Sequence, residues 1–337
     1  MKKIIVLVAV IAIAVIAIAY TSKNDVSETP KNLTSIRIGW QTPWATQGQL
    51  TQILKHTDLL EKNGLQGEFK GFEYGGPLNE AALAGEVDVL FTADQPATIL
   101  MSKNNDWKVI GRLMYNRVSL YVPPQSPIQT IAELKGKTVA MPFGAAAQRM
   151  ALKAEQDAGL DPKKDVNNIN LGMLEQTDLV KDAAATKWDT IDAMAGFDPI
   201  PAVFEEKGLV RNLATGKIVS LIVMNGKYIE QHPEAPVQFL KAFRGAYDHY
   251  RLNTEQANAW FVEEAKVNIT PGALAIASAI EPNVSAASAD DIFIDFTDED
   301  YAIMQEASDF LLNQGILKSS FVMKDHIDLN YLAKALK

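Results

Sequence analysis

The chain has 337 residues, 47% of them hydrophobic, 8% aromatic and 22% charged, with a formal net charge of -9. That length exceeds one ordinary hydrophobic core and predicts two lobes. The composition argues against disorder and against a polytopic membrane protein. A net negative charge argues against a phosphate-tracking surface, so nucleic acid is not an expected partner. Cysteine is absent, which excludes disulfides, thiolate nucleophiles, thiolate zinc sites and thioether lipid anchors. The four histidines, His56, His232, His249 and His326, lack metal-site spacing and are read as surface residues, so no metal or cofactor is expected.

Lys2 and Lys3 precede an unbroken apolar run over 4–19, followed by TSKNDVSETPKN. Residues 1–20 are therefore expected to be a signal peptide or an N-terminal membrane anchor, with Ala17-Ile18-Ala19 as a small-x-small cleavage site. Cleavage and retention both fit. A polar linker follows over 21–34, and export places the remaining chain outside the cytoplasm.

The folded part opens on a strand over 35–40 (SIRIGW), then a helix over 48–63, a strand over 68–74, a helix over 78–84 and a buried strand over 87–92 (VDVLFT). This βαβαβ order predicts a mostly parallel sheet covered on both faces, with its crevice beyond the C-terminal strand ends. At 118–127 SLYV is followed by PPQSP, a stiff stretch that cannot continue a helix or a central strand, and a first crossing between lobes is expected here. From residue 131 the pattern restarts: a turn at 132–134, a strand over 138–141, a helix over 145–159, a strand at 169–171, a helix over 178–186 and a strand over 191–195. SLIVM at 220–224 takes the chain back. The first lobe is thus expected over 35–122 and 225–337, the second over 123–224. Amphipathic helices over 237–252, 254–267, 270–279 and 298–314 are expected to pack on the first lobe. Sequons at Asn32, Asn268 and Asn283 fit surface loops but recur by chance.

Read in order, IRIGWQT at 36–42, ALAGEVDVLFTADQPA at 82–97, SPIQTIAELKGKTVAMPFGAAAQ at 126–148, IDAMAGFDP at 191–199, YIEQHPEAPVQFLKAF at 228–243 and SDFLLNQGIL near the C-terminus carry a resemblance. The chain resembles ABC-transporter solute-binding proteins of the nitrate, sulfonate and taurine family, which also contains pyrimidine-precursor and thiamine-related binders. The resemblance implies an α/β, two-lobed type II periplasmic-binding fold with two crossings and one ligand in the cleft. It also implies transporter permease and ATPase subunits as partners and a monomeric receptor. Closure about two crossings agrees with this expectation.

Four clusters lie at predicted strand ends. In the first, Gln41 offers a donor and an acceptor, Thr42 a hydroxyl, and Trp40 or the nearby Trp44 a flat wall, with lobe packing the alternative for either tryptophan. The second is Thr92, Asp94 and Gln95; Asp94 either meets a ligand or caps the following helix. Third is Phe143, Gly144, Ala145, Ala146 and Gln148, where backbone N–H groups at a helix start can receive an anion. Many family members carry Ser or Thr where this chain has Ala145 and Ala146. Last are Phe197 and Asp198, either contacts or a turn. Carboxylates at Asp94 and Asp198 disfavour nitrate. They favour a taurine- or sulfonate-like zwitterion, or an aminopyrimidine, whose amine pairs with a carboxylate while its anionic end meets Gly144 and Ala145. Against a pyrimidine-precursor-synthesising enzyme of the same fold stands the lack of cysteine and of histidine in these clusters. A ligand-sensing domain of a signalling complex is a further alternative.

Overall fold

In the computed structural model, which describes residues 33–265 and 268–337, the chain enters on β1 (Thr34–Gln41), whose Ile36, Ile38 and Trp40 alternate into the core. The export segment, the cleavage site and nearly all of the linker lie outside the described residues. There follow α1 (Gln47–His56), α2 (Leu59–Lys62), β2 (Leu65–Phe72), α3 (Gly75–Leu83), β3 (Val89–Ala93), α4 (Asp94–Lys103) and β4 (Trp107–Val122). The next stretch holds β5 (Thr138–Met141), α5 (Ala146–Asp157), β6 (Asn167–Asn170), α6 (Met173–Leu179), β7 (Ala193–Phe197), α7 (Ile200–Glu206) and β8 (Arg211–Asn225). Helices α8 (Gly226–Gln231), α9 (Ala235–Leu252), α10 (Thr254–Glu264), α11 (Pro271–Ser278), α12 (Asp298–Asn313) and α13 (Asn330–Ala335) complete the chain.

The strands form one eight-stranded sheet in the order β2-β1-β3-β8-β4-β7-β5-β6. Its flanks are parallel, as the βαβ reading requires, with β2, β1 and β3 on one side and β7, β5 and β6 on the other. Between them β4 and β8 run antiparallel from Trp107↔Asn225 to Val122↔Arg211. Residues Ser220 to Met224 of β8 pair with β3, whereas Val118 to Tyr121 of β4 pair with β7. The two central strands therefore carry the first half of the sheet near one end and the second half near the other. The sequence reading took only short apolar stretches of each. Arg112, Asn116 and Arg117 in β4 and Lys217 in β8 hid the rest. Arg112 is buried nonetheless, since its Nη1 donates to Glu281 Oε2 at 2.7 Å and Glu281 also accepts the Tyr115 N–H.

One helix falls elsewhere than expected. The segment read as helical over 178–186 carries α6 only to Leu179, because Glu175 accepts the Gly172 N–H at 2.6 Å and starts the helix early, and Val180 then leaves helical dihedrals. Helices α9 and α10 pack on α1, and α12 packs on α4, all against the first half of the sheet; α11 packs on α7 of the second half. Among the described residues no helix is long and apolar enough to cross a membrane.

Candidate functional site

Beyond β1 the chain turns through Trp44, whose ring lies 4.8 Å from that of Phe197 at the end of β7. The two halves of the sheet meet through these aromatic side chains, both about 1% exposed. Trp40 lies on the same side of β1 as Ile36 and Ile38, with Lys55 Nζ 5.8 Å from its ring centroid. Of the two tryptophans, Trp44 is the one at the junction.

From Trp44 a circuit of contacts can be traced between the two halves of the sheet. Gln47, the first residue of α1, accepts the Gln41 N–H through Oε1 at 2.6 Å. Gln41 Nε2 donates to the Phe91 carbonyl at 3.2 Å. Two residues further along β3, Ala93 faces Ser220 of β8, which faces Met114 of β4 on its other side. Asn116, two residues on from Met114, donates through Nδ2 to the Asp198 carbonyl at 3.4 Å. Phe197 precedes Asp198 and returns the circuit to Trp44.

Each polar member of this circuit is buried and retains an atom with no hydrogen-bond partner: Trp44 Nε1, Gln47 Nε2, Gln41 Oε1, Ser220 Oγ and Asn116 Oδ1. Unpaired buried polar groups cost about 1–3 kcal/mol each, so several along one circuit call for an explanation. The amide orientations are set by the partners just named, which are backbone N–H or carbonyl groups. The circuit thus offers indole and amide donors, amide acceptors, and a hydroxyl that serves as either.

Gln95, in the first turn of α4, is fully buried with both side-chain polar atoms unpartnered. Thr92 Oγ1 is also without a partner. Thr42 is half-buried and is tied to the end of β2, its N–H donating to the Phe72 carbonyl at 2.8 Å. Gly144 turns the loop before α5 at φ +82°, and its N–H is taken by Gln148 Oε1 at 2.9 Å. Phe143 is 40% exposed. Ala145, Ala146 and Ala147 are buried; the Ala145 N–H donates to the Pro142 carbonyl at 3.3 Å and the Gln148 N–H to the Ala145 carbonyl at 3.0 Å, so the anion contact expected at Gly144 and Ala145 finds both of those N–H groups already bonded.

The two candidate carboxylates are already paired. Asp94 Oδ2 accepts Arg149 Nη2 at 2.7 Å, and its Oδ1 accepts the Gln95 N–H at 2.6 Å. Asp198 accepts Arg117 Nε at 2.7 Å and Nη2 at 3.2 Å, together with the Ala202 N–H at 3.1 Å. Burial pushes both carboxyls up, and the adjacent guanidinium opposes the shift in each. The expected amine–carboxylate contact therefore loses its basis, because each carboxylate has an internal counter-ion. Sequence reasoning missed Arg149, Arg117, Asn116, Ser220 and Gln47. Asn116 and Ser220 had one legible signal, a polar residue inside an apolar central strand.

The family model described as NMT1/THI5 like matches residues 73–257. The chain is 25% identical over 345 aligned positions, covering 100% of it and 97% of the relative, to a Bacillus subtilis (strain 168) protein named for aliphatic sulfonate binding. Among solved structures it is similar to the periplasmic aliphatic sulphonate binding protein SsuA from Escherichia coli, with TM-score 0.71, 23% identity and coverage of 89% and 99% of the two chains. The desulfurization enzyme DSZB has a similar fold, with TM-score 0.62, 13% identity and coverage of 90% and 99%. These structural likenesses fix the α/β periplasmic-binding fold.

Proposed function

The chain belongs to the NMT1/THI5-like family, and from that premise we propose that it is the extracytoplasmic solute-binding receptor of an ABC uptake transporter, taking a zwitterionic organosulfonate of the taurine type. The named likenesses to sulfonate-binding proteins support the receptor reading. The observation that carries the ligand class is the circuit of unpartnered, uncharged donors and acceptors between the two halves. A sulfonate oxygen can accept from Trp44 Nε1 and Gln47 Nε2, while an ammonium donates to Gln41 Oε1 and Asn116 Oδ1. Nitrate has acceptors only and would leave both amide oxygens unpaired in a dry site, at about 1–3 kcal/mol each. Nitrate therefore stays disfavoured, by a route different from carboxylate repulsion.

An aminopyrimidine, with ring acceptors and an amine, is the second ligand reading supported by the same circuit. The enzyme alternative lacks support in the side chains, since neither cysteine nor histidine stands in the circuit. In this reading the two halves close on the solute about β4 and β8, and the closed form docks on the permease and ATPase subunits. A thermal-shift screen with taurine, ethanesulfonate, nitrate, thiamine and an aminopyrimidine tests the proposal. Preferential binding to the folded form raises the melting temperature. Taurine should give the largest rise; a larger rise with nitrate, or none with any compound, contradicts the proposal.

A further inference from the structure

On another side of the junction, α5 and α12 stand apart across a cavity of about 550 Å³, flanked by Met150, Ala154 and Ile303 over a floor that includes Val118, Gly216 and Ile218. Helix α5 rests on β4, β7 and β8, whereas α12 rests on α4 and β8. Arg149 in the first turn of α5 reaches across. Its Nη2 donates to Asp94 Oδ2 at 2.7 Å and its Nη1 to the Ile303 carbonyl at 3.2 Å. Arg149 is 4% exposed and Asp94 0%.

We propose that Arg149 is the latch between the two halves, a positioning residue that sets solute affinity without touching the solute. This rests on the receptor reading above. The guanidinium is held by Asp94 and the Ile303 carbonyl and lines the cavity between α5 and α12, whose lining includes none of Trp44, Gln41, Gln47, Ser220 and Asn116. A buried ion pair contributes little net attraction, because desolvation of two charges offsets their mutual energy. Its leverage comes from incompleteness. With the halves together and one partner removed, the remaining charge is buried and unpaired; with the halves apart, water solvates it. Loss of one partner therefore penalises the closed arrangement alone, and affinity falls with the closed population. Loss of both charges removes the penalty.

The experiment combines solute affinity with a distance that needs no solute. Because the chain has no cysteine, Gln156→Cys on α5 and Ala302→Cys on α12 allow selective spin labelling across the cavity. Arg149→Met should bind taurine about ten- to a hundredfold more weakly than the wild type and show a longer, broader distance distribution without solute. Adding Asp94→Asn should return both readings toward the wild type. Arg149→Lys, which keeps the charge but cannot span both acceptors, should fall between and serves if Arg149→Met folds poorly. If taurine is not the solute, the calorimetric arm is silent in every variant while the distance arm still decides. Weak binding unrescued by Asp94→Asn, with an unchanged distance, would make Arg149 a solute contact and overturn the proposal. Unchanged distance and affinity in Arg149→Met would overturn it equally.

Discussion

Replacing Asp198 by asparagine separates a structural carboxylate from a ligand contact. In the structure Asp198 is fully buried and accepts two hydrogen bonds from Arg117 and one from the Ala202 N–H. Asparagine keeps the shape but removes the charge, and one of its two terminal groups must then face a donor. Removing one partner of a buried pair costs about 3–5 kcal/mol. Arg117 is partly exposed and keeps Glu205 at 2.9 Å, so the expected loss is smaller, about 2–3 kcal/mol. Urea denaturation should show a lower midpoint with an unchanged slope. Solute affinity should change by less than about threefold, since the Asn116 amide bonds the Asp198 backbone and not its side chain. A tenfold or greater loss of affinity with an unchanged midpoint would refute this reasoning and make Asp198 a ligand contact.

Ser220→Ala removes a hydroxyl that has no partner and should leave the urea midpoint unchanged or raised while weakening taurine binding by about 1 kcal/mol in calorimetry; lost stability with intact affinity would argue for a purely structural serine. Glu155 tests the acid–base side: it is fully buried on α5, and burial pushes its carboxyl up to about 7 against the Asn168 amide that donates to it. The folded state then holds a proton that the unfolded state has released between about pH 4.5 and 7, so stability contributed by this group is complete below that window and falls as pH rises through it. Glu155→Gln should therefore gain on the wild type by on the order of 1–2 kcal/mol between pH 5 and pH 8, and a pH-independent difference would contradict the shift. Because β1 begins at Thr34, a chain starting at Leu33 should fold and bind as the full chain does, measured by circular dichroism and calorimetry; failure to fold would assign a structural role to the preceding residues.

The alternating layers were legible because periodicity and burial agree there. Ile36, Ile38 and Trp40 alternate into the core, and the helix starts expected at Ala145 and Asp298 fall within one residue of those of α5 and α12. The central pair β4 and β8 was only half legible, since its ion pairs form with residues far along the chain. Arg112 meets Glu281 and Arg117 meets Asp198, so charged residues that read as surface are interior. The site was visible as a set of strand ends, but not the state of its carboxylates. Asp94 and Asp198 were placed at the junction by their segments, yet only three-dimensional proximity reveals that Arg149 and Arg117 neutralise them. Asn116 and Ser220 were passed over because hydrogen-bond completeness is a property of the packed sheet.

Isothermal titration with taurine, ethanesulfonate and nitrate in parallel tests the central claim most directly, because the three differ in having donor and acceptor, acceptor with an apolar tail, and acceptor alone. The account predicts the tightest binding for taurine, with Asn116→Ala narrowing the gap between taurine and ethanesulfonate. Nitrate binding more tightly than taurine, or a gap unaffected by Asn116→Ala, would contradict it.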